Sequence, residues 1–281
     1  MQIAIPSARS LRINAPLARY LEILRVLAAR NIKSRYRGSV LGVYWSLCNP
    51  LIMTGIYTAI FGTAFSRYYG GNIWNYVLSC FAALAVLNFF SGTTSQALGS
   101  VVGNGALLNK LRLPISAFPL SIVLANLFQY VVGVLPLLAI IAVVSTHDLT
   151  RVLWLIVPSV ALVMVSTGFG LVAATIYVYF RDFSYLYELI LFILWMTSPI
   201  FYPIELVPPQ LRAVIAFNPI ANLMQSVRLI AFNPARPSLH VLGLALLSGV
   251  VALAIGIVVF RQQEKSFSSA GRNAGRTAFA S

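Results

Sequence analysis

The chain has 281 residues, of which 59% are hydrophobic and 9% charged, with twenty Lys and Arg against six Asp and Glu for a net charge of +14. Soluble proteins carry roughly 25% charged residues, so a surface of this size cannot be covered by so few charges, and lipid must cover it. The basic excess alone would suit nucleic acid, but the bases fall between long uncharged runs, and that spacing excludes a nucleic-acid binder.

The predicted elements follow in chain order. Residues 1–13 form a basic tail. Asn14 and Pro16 supply a cap and a first turn. Leu17, Tyr20, Leu21, Leu24, Leu27, Ala28 and Asn31 then recur at helical spacing, with Arg19, Glu22, Arg30 and Lys33 mainly on the opposite face. A helix this charged cannot span, so it is predicted to lie along the membrane surface. The eight bases before Gly38 leave no uncharged apolar core for a cleavable signal peptide.

A spanning helix needs about 20 apolar residues to cross roughly 30 Å of hydrocarbon. Spans are predicted over about Val40–Phe65 and Asn75–Ser95, followed by a small, polar loop or short helix ending at Asn109–Arg112. A third span runs from Pro114 to about Ser145, bent at Pro136. The fourth covers Leu153–Phe180 and the fifth Leu186–Ile204. Residues 205–236 carry Pro208, Pro209, Pro219 and Pro234 in apolar stretches shorter than a bilayer. They are predicted as two short re-entrant helices on the outer side. The last span is His240–Phe260, and residues 262–281 form a second tail.

The fold class is therefore an all-α integral membrane protein with six spans over 38–261 and an amphipathic interface helix within 1–37. Six spans put both termini on one side. With the termini inside, fifteen bases are cytoplasmic and five are external, so the positive-inside rule places both termini in the cytoplasm.

Chemistry is sparse. No Gly-Lys dipeptide occurs, so this sequence holds no P-loop. His147 and His240 do not form a metal-binding cluster, and Asp148 reads as a solvated loop residue. Cys48 and Cys80 lie in apolar runs as small core residues rather than as a disulfide. Asp182 is positioned to cap the fifth span. Glu188, about one turn into that span, reads as paired near the interface with Arg181 or another base. No catalytic residue is assigned and no cofactor is expected in the chain.

Two clusters carry alternatives. Tyr57, Phe61 and Phe65, and separately Tyr177, Tyr179 and Phe180, form either an interfacial aromatic belt or a surface on which sugar rings stack. Arg30, Lys33, Arg35 and Arg37 are either topogenic charge in contact with anionic lipids or a clamp for a diphosphate.

The segment Arg30–Leu51, RNIKSRYRGSVLGVYWSLCNPL, resembles the opening signature of the permease subunits of ABC polysaccharide exporters. Tyr179-Phe180-Arg181-Asp182 resembles the family's step at the inner end of the fourth span. Ser198-Pro199-Ile200-Phe201-Tyr202-Pro203, Asn218-Pro219 and Val227-Arg228 resemble its outer pattern. The match covers roughly residues 17–263, and its opening motif is similar to the O-antigen branch.

The resemblance implies a bacterial inner-membrane subunit that works as two copies with two separate ATPase subunits, which bind ATP and Mg. It implies a lipid-linked polysaccharide as substrate, on polyprenyl diphosphate or, in the capsule branch, another lipid. It assigns ATPase docking to Leu24, Asn104, Leu108 and Lys110, and an outer gate to Tyr202, Pro203, Asn218, Pro219 and Arg228. A permease for drugs or simple lipids, and a membrane-embedded polyprenyl-phosphate glycosyltransferase, are the alternatives. The second needs interfacial carboxylates, for which Asp182 and Glu188 are the inner-face supply.

Overall fold

In the computed structural model, which describes residues 16–111, 113–216, 218–232 and 238–277, every regular element is helical. The basic tail over 1–13, the cap at Asn14, Arg112, Pro234 and Arg236 lie outside the described residues.

The surface helix is present as α1, Pro16–Tyr36. Leu24, Leu27, Asn31 and Arg35 recur at three and four residues and turn toward the helix beginning at Ala117. Leu17 and Leu21, at the start of the same face, stay exposed, as does Val26 on the opposite one. A short 3-10 turn at Gly42–Tyr44 leads into α2, Trp45–Phe65, and Gly70 and Gly71, both at φ +74°, reverse the chain into α3, Ile73–Leu98.

Here the structure departs from the sequence reading. The small polar stretch after Ser91 continues as part of the same helix to Leu98. The Thr94 hydroxyl bonds back to the helix, Oγ1 donating to Phe90 O at 2.9 Å, and Thr93, Thr94 and Ala97 are buried. Their small size allows a neighbouring helix to approach: a Cβ added to Gly170 would lie 3.0 Å from the Ala97 Cβ. The predicted short helix follows as α4, Gly105–Lys110.

The third span consists of α5, Ala117–Gln129, and α6, Leu135–Thr146, joined by a π-helical turn at Tyr130–Val134. Pro136 lacks the N–H that a regular turn would use, and the wider turn just before it absorbs that loss. After α7, Arg151–Trp154, comes α8, Ile156–Tyr179. The central pair is α3 and α8, with 67% and 56% of their most apolar windows buried, against 22% for the first and last spans.

The fifth predicted span is helical over only part of its length. Helix α9 covers only Phe183–Thr197, 15 residues, or about 22 Å at 1.5 Å per residue, short of the roughly 30 Å core. Ser198 stops it with extended backbone (φ −86°, ψ 132°), because the residue before a proline, here Pro199, is held out of the α region. Among the described residues, five helices are long and apolar enough to cross a membrane: Gly42–Tyr69, Ile73–Leu98, Ala117–Thr146, Arg151–Tyr179 and Leu239–Gln263.

Two short helices do follow the proline-rich segment, α10, Pro209–Ala216, and α11, Pro219–Phe232. Helix α11 inserts Ile220, Leu223, Met224, Val227 and Ile230 into the main core. The last helix, α12, Leu239–Thr277, does not end at Phe260 but runs well into the segment read as a tail.

Candidate functional site

Of the four bases before the first span, the structure turns one inward. Arg35 donates from Nη1 to Asn126 Oδ1 at 3.0 Å and to Gln129 Oε1 at 2.6 Å, and from Nη2 to Gln96 Oε1. Tyr36 Oη donates to the same Gln129 oxygen at 2.7 Å. All these acceptors are neutral amides, so the guanidinium is oriented without being neutralised. Arg30 reaches sideways to Asn104 Oδ1 at 2.7 Å, and Lys33 and Arg37 are exposed.

The amides line a connected set of clefts. An open cleft of about 390 Å³ is bounded by Arg35, Tyr36, Trp45, Gln96 and Gln129. A narrower one of about 100 Å³ shares Arg35, Gln96 and Gln129 with it and reaches Asn88. Asn88 also lines a third, of about 270 Å³, between α2, α3 and α9, with Asn49, Tyr57, Phe192 and Trp195. Asn88 Nδ2 donates to Asn49 Oδ1 at 3.1 Å, tying α3 to α2. No ionised side chain but Arg35 lines this path.

Beside Asn49 the third cleft is lined by Tyr57, Phe192 and Trp195, and Tyr57 and Trp195 belong to a larger aromatic group. Phe201 is the hub, with ring centroids 5.0 Å from Tyr57, 5.5 Å from Phe61 and 6.3 Å from Trp195. Phe61 stacks on Phe65 at 5.6 Å. The predicted Tyr57, Phe61 and Phe65 thus form one half-buried wall with residues from the irregular segment after α9. Aromatic faces beside amides are the surfaces that pyranose C–H faces and hydroxyls use.

That irregular segment is held by side chains. Arg228 donates to Pro199 O at 2.7 Å, Ile200 O at 2.8 Å and Ser79 O at 3.3 Å. Tyr76 Oη donates to Phe201 O at 3.0 Å. Asn218 Nδ2 donates to Ser198 Oγ at 3.1 Å, while its Oδ1 accepts from Ile220 N at 2.9 Å beside Pro219, the first residue of α11. Tyr202 Oη donates to Met196 O at 3.2 Å, and Pro203 leads into a 3-10 turn. The five residues assigned to the outer gate therefore lie in or around one frame, and Arg228 is its clamp.

The second aromatic group lies elsewhere. Tyr177 packs near Leu98 and Tyr187 and carries the Arg181 guanidinium over its ring at 5.4 Å. Tyr179 donates to Gln263 Oε1 at 2.7 Å, and Phe180 is 69% exposed. Arg181 is thus placed over Tyr177, and among the described residues no ion pair links it to the exposed Glu188. Asp182 occupies the cap position of α9, but its side chain makes no capping bond.

Of the residues assigned to ATPase docking, Leu24 is buried, and Leu108 packs against the same small cluster with Phe118, joining α1 to α4 and α5. Asn104 is held by Arg30 and donates to Ser100 O at 2.7 Å, leaving Lys110 as the exposed member.

Cys48 and Cys80 are free, as read. Among the described residues no group of His, Cys, Asp and Glu could hold a metal. Asp148 accepts from Thr150 N at 2.9 Å and pairs with Arg151 at 3.4 Å. The Thr150 bonds, with Arg151 nearby, hold its carboxyl below the ordinary value.

The sequence reading missed Asn49, Asn88, Gln96, Asn126 and Gln129. The signal was present for Asn49, Asn88, Asn126 and Gln129, uncharged amides inside otherwise apolar runs, whereas Gln96 sits in the small polar stretch of α3.

The family described as ABC-2 type transporter matches residues 22–232. The chain is 25% identical over 261 residues to the O-antigen export system permease protein RfbA of Klebsiella pneumoniae, covering 92% of this chain and 98% of that one. It is 26% identical over 264 residues to RfbA of Myxococcus xanthus, with the same coverage. It is 23% identical over 247 residues to the polysialic acid transport protein KpsM of Escherichia coli, covering 86% and 94%.

Proposed function

The chain belongs to the ABC-2 type transporter family, and from that premise we propose that it is the channel-forming subunit of an ATP-driven exporter carrying lipid-linked, O-antigen-like polysaccharide from cytoplasm to periplasm. The observation that carries this reading is the path from Arg35 through five amides to the Tyr57–Phe61–Phe201 wall. Drugs and simple lipids have no use for a row of hydrogen-bonding amides, whereas sugar hydroxyls need them because each one stripped of water must find another partner. The O-antigen relatives cover 92% of the chain and the polysialic acid relative 86%, which favours the O-antigen branch.

The carrier in this reading is polyprenyl diphosphate, met at the inner entrance by Arg35, whose fork suits phosphate oxygens. Arg30, Lys33 and Arg37 add positive potential there. Both termini are cytoplasmic in this arrangement, and α9 with the irregular segment after it completes the sixth crossing. Helices α10 and α11 form the outer, re-entrant closure.

Helices α2 and α9 flank the aromatic cleft with exposed Ile52, Ile56, Ile60, Leu189 and Ile193, and a second copy packed on them closes the cleft into a tunnel. Two separate ATPase subunits dock at α1 and α4, bind ATP and Mg and supply the energy.

The test is ATPase activity of the complex in proteoliposomes. Polyprenyl-diphosphate-linked glycan should stimulate it more than carrier without sugar. Equal stimulation by both, or preferential stimulation by simple amphiphilic drugs, would contradict the assignment.

A further inference from the structure

A second cleft, of about 200 Å³, lies between α1, α5, α8 and α12 and shares no lining residue with the amide path. Leu120, Leu171, Leu253, Ile257 and Phe260 form its walls. Thr167 lines it too, but its hydroxyl is engaged with Val163 O at 2.6 Å and adds no polar demand.

The mouth differs from the walls. Arg261 stands there, immediately after the apolar run of α12 ends, with Tyr20 and Ser116, whose hydroxyls bond each other at 3.0 Å. Whichever hydroxyl donates, the hydrogen of the other remains for a third group. Among the described residues no carboxylate lines the cleft.

An alkyl chain fits such walls, and a phosphate fits a guanidinium beside a hydroxyl donor. Only a lipid carries both parts at this depth, where a spanning helix meets a surface helix. A zwitterionic headgroup would bring its own cation toward Arg261, and an anionic one would not. The geometry points to a binding site for an anionic phospholipid. One acyl chain lies along Leu171 and Ile257, and the phosphate is held by Arg261 and the Tyr20–Ser116 pair. Bound there, the lipid joins α1 to α12 and fixes the surface helix against the bundle. This site does not depend on what the amide path carries.

The test is native mass spectrometry of the purified full-length chain, offered phosphatidylglycerol and phosphatidylcholine with matched acyl chains. The wild type should retain about one phosphatidylglycerol per chain, preferred roughly tenfold, as one charge-assisted contact allows. Excess inorganic phosphate should not displace it.

Arg261→Gln, at an exposed position, should abolish the preference while Arg67→Gln keeps it. Tyr20→Phe should weaken the preference without changing the fold. Ile257→Trp, which fills the cleft, should lower retention of both lipids. Equal retention of the two lipids by the wild type, an unchanged preference in Arg261→Gln, or displacement by inorganic phosphate would each overturn the site.

Discussion

Gly168 of α8 and Gly256 of α12 meet backbone to backbone: a Cβ added at Gly256 would fall 2.6 Å from the Gly168 Cα. No side chain can yield there, because the obstacle is the main chain itself. Small residues let membrane helices approach this closely, where dispersion replaces the hydrophobic drive that lipid removes.

Gly256→Ala should therefore separate the two helices, at about 1–3 kcal/mol for an overpacked contact. Gly243→Ala, on the same helix with nothing within 4 Å, should be neutral. Size-exclusion profiles of the two detergent-solubilised variants check this. A Gly256→Ala profile as monodisperse as wild type would show that the interface can part cheaply.

Arg228 supports a second prediction. Two of its three acceptors, Pro199 O and Ile200 O, are main-chain carbonyls outside any helix, and each one left buried costs about 1–3 kcal/mol. Arg228→Met should lower the detergent melting temperature clearly. Arg228→Lys should recover only part, because an ammonium lacks the planar fork. Melting monitored by intrinsic fluorescence distinguishes the three proteins, and a Lys variant equal to wild type would reduce Arg228 to a simple charge.

The loop after α6 supplies a pH test. Asp148 has its carboxyl held below the ordinary 3.8 by the Thr150 bonds first, with Arg151 also contributing. A depressed carboxyl contributes order above its unfolded value and loses it as pH falls through the folded value. Protection of the Thr150 amide should thus hold steady from neutral pH down to about 5 and fall only in stronger acid. Asp148→Asn should lack that protection even at neutral pH. Hydrogen exchange of this loop reads both, and equal protection of the Asn variant and wild type at pH 7 would remove the role given to the carboxylate.

Much of this was legible in the sequence because uncharged runs and their basic punctuation are properties of composition. The surface helix, the spans from α2 to α8 and the paired helices α10 and α11 follow from them. Two features were not legible for physical reasons. The polar stretch after Ser91 reads as loop or short helix rather than as part of the span, since nothing in one dimension shows Thr94 bonding its own helix while α8 covers it. Likewise Phe201 reads as one aromatic among many, and its role as hub depends on Arg228 and Tyr76 folding the proline-rich segment back toward Tyr57. The amides were visible, but Arg35 gathers three of them from helices far apart in sequence.

The aromatic wall can be examined alone. Tyr57, Phe61 and Phe65 changed together to Leu keep apolar bulk but remove the stacking faces, as does Phe201→Leu at the hub. Abundance and insertion should persist while export falls several-fold, as losing stacking worth about 0.5–1.5 kcal/mol per ring implies. Single changes among the first three should be mild. Normal export by the triple variant, measured as surface glycan per cell, would leave these rings as a lipid-facing belt.

The central claim is that glycan crosses the membrane along the path that begins at Arg35, and the most direct measurement locates that glycan in cells. In a strain lacking the chain, lipid-linked polysaccharide should accumulate on the cytoplasmic side, inaccessible to an external lectin until the inner membrane is opened. Wild-type protein should return it to the periplasmic side. Arg35→Lys should do so more slowly at equal abundance, because the charge remains and the bidentate grip is lost. If the deletion strain displays its glycan outside as the wild type does, the chain is not the exporter of that polymer and the account fails.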